Sequence, residues 1–80
     1  MGEQEFESRI ADAEIMRGLS DRPGYYEGYI RGLHRFYHGA HFGTLEEHEK
    51  WLDMAYHWEQ TKADQGRGYR DGLQGIRPHM

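Results

Sequence analysis

The chain has no cysteine, no valine and no asparagine, and only two threonines and two prolines among its 80 residues. Without cysteine there is no disulfide, no thiolate-bound zinc and no thiol nucleophile. Small secreted domains usually depend on disulfides, so their absence points to a reducing, cytoplasmic setting. Four isoleucines and two threonines are the only β-branched residues, too few to supply a sheet. The chain therefore reads as all-α before any periodicity is considered. No apolar run approaches the roughly 18 residues of a membrane span, and no membrane contact is expected. The opening MGEQEFESRI is too acidic and polar for a signal peptide. Phe6 stands where an N-myristoylation motif needs Ser or Thr. One domain covering residues 1–80 is expected.

What the chain does hold is aromatic and charged. The hydrophobic fraction is only 36%, but it includes six Tyr, three Phe and two Trp, each burying far more area than an aliphatic side chain. The net charge of −4 is segregated along the chain. Residues 1–19 and 44–65 are acidic, while residues 20–43 and 66–80 are basic. All six histidines lie beyond the first acidic block.

Helical periodicity organises the chain into four segments. From Glu3 to Leu19, the residues Phe6, Ile10, Ala13, Met16 and Leu19 recur on one stripe, with acids at the start and Arg17 near the end, as the helix dipole favours. A second helix starts in the SDRPG break, capped by Ser20 or Asp21 with Pro23 in its first turn, and stops at Gly39. The third has the clearest start, a capping box of Thr44 and Glu47, and is expected to carry Trp51, Leu52, Ala55 and Trp58 before fading near residues 63–66. A short C-terminal helix is expected over about 67–74. The expected fold is thus a bundle of three main helices plus a short C-terminal one. Its expected core comprises Phe6, Ile10, Tyr29, Ile30, Leu33, Phe36, Trp51, Leu52, Ala55, Trp58 and Leu73.

One pattern is written twice: GYIRGL at 28–33 and GYRDGL at 68–73. Glycine inside a helix costs about 1 kcal/mol relative to alanine. Gly24, Gly28 and Gly32 in one helix and Gly68 and Gly72 in the other therefore need a reason. The simplest is that two helix backbones meet closely at bare glycine faces, with Tyr29 and Tyr69 in matching environments, partly buried and with hydroxyls at the surface. The alternative is that an external partner, a second copy included, approaches those faces. Monomer and homodimer both fit the sequence.

Three clusters are candidates for chemistry. His34 and His38 lie four apart on one helix face, with His41 close behind, a workable spacing for zinc. No HExxH accompanies them, and a solvated face beside Arg31 and Arg35 explains them as well, so no metal or other cofactor is assigned. The acidic run LEEHEKWLD reads first as a solvated helix face. Ser8 and Ser20 have no nucleophile context, and no phosphate loop is present, so the chain is not expected to be an enzyme. Tyr and Arg crowd the basic blocks, and both types are enriched at interfaces. Tyr25, Arg31, Arg35, His38, Phe42, Arg67 and Arg70 are the expected contact residues for a protein partner. Nucleic acid is a second possibility, since Arg beside aromatic rings suits phosphates and bases, although a pI of about 5.8 is low for that role.

The stretch Arg67-Gly68-Tyr69-Arg70-Asp71-Gly72-Leu73-Gln74-Gly75 resembles the Arg-Gly-Tyr-x-x-Gly-x-x-Gly segment of ribosome modulation factor. That family consists of small helical bacterial proteins that bind and silence the ribosome, and the resemblance implies an RNA- or ribosome-associated regulator. The longer stretch GYYEGYIRGLHRFYHGAHFGTLEEHEKWL resembles small proteins of bacterial genomes, phages and integrated elements. This second resemblance implies an accessory factor that acts by binding another macromolecule, a class that includes inhibitors of host defence.

Overall fold

The computed structural model describes residues 1–79. Four helices follow one another: α1 (Glu3–Leu19), α2 (Pro23–His38), α3 (Leu45–Asp53) and α4 (Gln60–Leu73), with a 3-10 turn at Met54–Tyr56 between the last two. No strand occurs among the described residues. The fold is an all-α bundle of three main helices plus a short one. The short helix is α3, third in the chain, rather than the C-terminal one.

Helix α2 lies at the centre, with α1 packed on one side and α4 on the other, while α3 and the 3-10 turn pack on α4. Between α1 and α2 the contact is aromatic: Phe6 stacks on Tyr37 (ring centroids 4.2 Å apart) and meets His34 edge-on at 5.1 Å. Only the first part of the expected α1 stripe is used. Phe6 and Ala13 are buried, but Met16 and Leu19 are exposed. The start of α2 uses Pro23 as expected. Ser20 does not cap it, however, and instead accepts a hydrogen bond from the Arg22 amide at 2.9 Å. At the other end Gly39 takes φ +84°, which an L side chain rarely adopts. The capping box at α3 is present, Thr44 Oγ1 accepting from the Glu47 amide at 3.1 Å and Glu47 accepting from the Thr44 amide at 3.2 Å.

Helices α2 and α4 meet through the repeated pattern. A Cβ placed on Gly28 would collide with the Gln65 carbonyl and the Tyr69 amide, while one on Gly68 would collide with the Tyr25 carbonyl and the Tyr29 amide. Likewise Gly32 faces the Tyr69 carbonyl and Leu73 amide, and Gly72 faces the Tyr29 carbonyl and Leu33 amide. Each contact is thus repeated with its partners exchanged. The two helices run parallel and are related by a local pseudo-twofold axis. At so short a separation glycine Cα–H groups reach carbonyl oxygens, a weak but recurrent helix–helix contact. This answers why the pattern occurs twice: each copy is the surface the other requires.

Parallel helices cannot be joined by a tight turn. After α2 the chain must travel back about 24 Å, the length of a 16-residue helix. Residues 39–59 make that return. Helix α3 ends at Asp53, and α4 starts at Gln60, where the chain must turn to lie along α2. This differs from the expected long third helix and its continuation through Trp58. The break contains neither proline nor glycine. His57 stabilises it locally, its Nδ1 accepting from the Glu59 amide at 3.0 Å.

Candidate partner-binding surface

Tyrosine hydroxyls inside a small core need partners, and here the core supplies them. Tyr29 and Tyr69 are 0% and 2% exposed, which corrects the expectation of surface hydroxyls. Tyr29 donates to the Ile76 carbonyl at 2.7 Å, and the Tyr69 hydroxyl lies 2.7 Å from His48 Nδ1. Burial pushes the Tyr69 hydroxyl up. The His48 ring is itself held below its ordinary value, first by burial and then by the charge of Arg35. Tyr25 donates to Asp71 and accepts from the His79 amide at 3.0 Å. Burial first, and then the Asp71 carboxylate, push its hydroxyl far up.

Tyr25 therefore does not belong to a contact surface, contrary to the sequence-based expectation. It is 1% exposed, and reaching it would require opening the α2–α4 pair. Arg31, Arg35, His38 and Phe42 do come together near the C-terminal end of α2. The Arg31 guanidinium lies 5.4 Å from the ring centroids of both Phe42 and Trp51 and pairs with Glu47 at 2.7 Å. Arg35 donates to the Phe42 carbonyl at 2.8 Å. His38 is exposed and stacks on His34 at 5.5 Å. These contacts tie the arginines to the return segment and leave little of either guanidinium for an outside ligand. Arg67 lies apart from them, 3.8 Å from Asp64. That carboxylate is already held by Arg22 through two hydrogen bonds of 2.7 and 2.6 Å. Arg70 is exposed on α4.

His34 is half-buried within the aromatic stack, and burial followed by the neighbouring His38 lowers its pKa. His41 is exposed on the loop. Among the described residues no three His, Asp or Glu side chains come together as a metal-holding group. No helix among them is long and apolar enough to cross a membrane.

The most exposed large hydrophobic side chains lie elsewhere. Tyr56 and Trp58 are 84% and 88% exposed, although Trp58 was expected in the core, as was Phe36, which is 43% exposed over Gly75. The Trp51–Trp58 spacing of seven places both rings on one face only if one helix carries them, and α3 stops between them. Trp51 accordingly packs half-buried against Tyr69 (5.7 Å) while Trp58 turns out and stacks on His57 (5.5 Å). Beside them an open groove of about 750 Å³ runs between α3 and α4. Nothing in the sequence pattern marked this groove, because it exists only through the turn at 54–59.

No protein-family model, no curated protein and no solved structure matches this chain. The function must therefore be argued from its own surface.

Proposed function

We propose that this chain is a non-enzymatic binding protein, a small cytoplasmic accessory factor of the bacterial or phage type, whose partner is another protein. The observation that carries the reading is the pair of bare rings at Tyr56 and Trp58. Burying a large apolar side chain is worth roughly 1.5–3 kcal/mol. A domain with so small a core forgoes that at both positions, while closing Tyr25, Tyr26, Tyr29 and Tyr69 almost completely. Exposed Tyr and Trp are the residue types that anchor protein interfaces, and Trp58 stacks on His57, which lines the groove.

The test is affinity capture from bacterial lysate, with and without nuclease, using the natural chain and a Tyr56→Ala/Trp58→Ala variant. A protein partner that survives nuclease and is lost with the variant supports the reading. Capture of ribosomal proteins that disappears with nuclease would replace it with a ribosome-associated role. Equal capture by the variant would move the contact face away from the turn.

A further inference from the structure

We propose that the groove between α3 and α4 seats a basic, amphipathic segment of the protein partner; this rests on the protein-binding reading above and names the chemistry of the bound segment. Glu46, Glu49 and Asp53, spaced three and four apart, turn one face of α3 into an acidic wall, and Trp51 and Met54 supply apolar lining. Lys50 of α3, Lys62 and Gln65 of α4, and His57 complete the lining, so the three carboxylates outnumber the two lysines by one. Stacking on His57 brings the exposed Trp58 ring to the edge of the groove. The volume, about 750 Å³, is enough for several side chains at once. Because the groove is open to solvent rather than enclosed, it suits a chain segment better than a buried small molecule.

The occupant's charge follows from which carboxylates are free. Glu47 is paired with Arg31, and Asp64 with Arg22. Glu46, Glu49 and Asp53 enter no ion pair among the described residues, not even Glu46 with Lys50 four residues on. A lysine or arginine from a partner meets both a free carboxylate and an aromatic face here. Met54 is a thioether that adapts to irregular apolar side chains.

The experiment uses the full chain and two synthetic peptides of equal length and equal leucine content. One is an amphipathic Lys/Leu helix and the other its Glu/Leu counterpart. Backbone amide and Trp indole NMR signals report where each binds. The Lys/Leu peptide is expected to shift the Trp51 indole and the amides of residues 46–65. Its affinity should fall as salt is raised. It should also weaken about tenfold in a Glu49→Lys/Asp53→Lys variant, whose exposed sites leave the fold unchanged. Shifts confined to the acidic start of α1, equal binding of the Glu/Leu peptide, or undiminished binding by the charge-reversed variant would each overturn the proposal. So would sedimentation showing that a second copy of the chain already covers the groove. If lysate capture depends on Tyr56 and Trp58 but the Lys/Leu peptide does not enter the groove, the protein-binding reading stands and this assignment falls. If the peptide seats as described but no protein survives nuclease in the capture, the groove's chemistry stands and the functional reading falls.

Discussion

The α2–α4 pair and the return segment between them are built on opposite terms. In the pair, two backbones touch at glycine, tyrosine rings are buried, and the hydroxyls of Tyr25, Tyr29 and Tyr69 find partners within the molecule. Along Leu45–Tyr56 no residue is fully buried, and the segment ends in two of the most exposed rings in the molecule. The pair cannot change without losing the fold. The segment carries the chain back so that two helices run parallel, and it meets α4 on its inner side, where Gly66 faces the backbone of Met54 and Ala55 and where His48 and Trp51 reach Tyr69, while Tyr56 and Trp58 stay exposed. On the protein-binding reading proposed above, stability and function are separated along the chain, and substitutions should sort by region.

The largest effect is expected at the centre of the pair. In Gly68→Ala the new methyl group meets the Tyr25 carbonyl and Tyr29 amide, both backbone groups that no rotamer change can move aside. The helices must separate, and the tyrosines packed around them lose their fit. The expected cost is about 3 kcal/mol, a large share of the net stability of a domain this small. Thermal melting followed by circular dichroism would show it. Gly28→Leu/Gly32→Leu should not fold at all. If that variant stayed folded, the internal clasp would be refuted.

Next comes the half-buried ion pair that ties the start of α2 to α4. Asp64 is 3% exposed and is held by Arg22 and by Gln60 at 2.8 Å. Asp64→Ala removes these charge-assisted bonds but leaves Arg22 able to reach water, so a loss of about 2 kcal/mol is expected by urea denaturation. The bond from Arg22 is the main reason that the Asp64 carboxyl stays below its ordinary range. A depressed carboxylate stabilises the fold fully above its unfolded value, near pH 3.9, and loses that contribution as pH falls through the folded one. Asp64→Ala should therefore flatten the acid limb of the stability profile below about pH 4.

The glycine faces were legible in the sequence because a helical glycine carries a definite cost, and five of them at four-residue spacing demanded a close contact. The capping box at Thr44 was legible for a similar reason, its two residues being three apart with complementary hydrogen bonds. What stayed hidden depended on tertiary geometry. That Gly28 meets α4 in parallel rather than antiparallel fashion cannot be read from spacing. Parallel pairing is what forces the turn at residues 54–59, and the turn in turn exposes Trp58. The expected contact residue Tyr25 failed for the same reason: it lies one position beyond Gly24 in the face that α4 covers. Seven-residue spacing misplaced Trp58 because it presumed an unbroken helix, and the only local sign of the break is His57 accepting from the Glu59 amide.

A glycine outside the clasp sharpens the comparison from the other side. Gly18 sits in the last turn of α1, where a Cβ would meet nothing within 4 Å and φ is not positive. Gly18→Ala should raise stability by about 0.5–1 kcal/mol, through helix propensity and a less flexible unfolded chain. The same substitution type thus changes sign between α1 and α4. A loss of stability at Gly18 would mean that glycine acts in this protein through something other than the space it leaves.

The smallest stability effect should fall where the functional effect is largest. Trp58 and Tyr56 contribute little to the folded core, so alanine at either should alter the unfolding free energy by no more than about 0.5 kcal/mol. Tyr29→Ala, by contrast, should cost about 3–5 kcal/mol, as for other buried aromatics. Urea midpoints of the three variants measure this directly. A marked loss at Trp58 would show that its stacking on His57 holds the turn, and the exposed rings would then be structural. A neutral result, together with loss of the captured protein, leaves recognition as the reason those rings are bare.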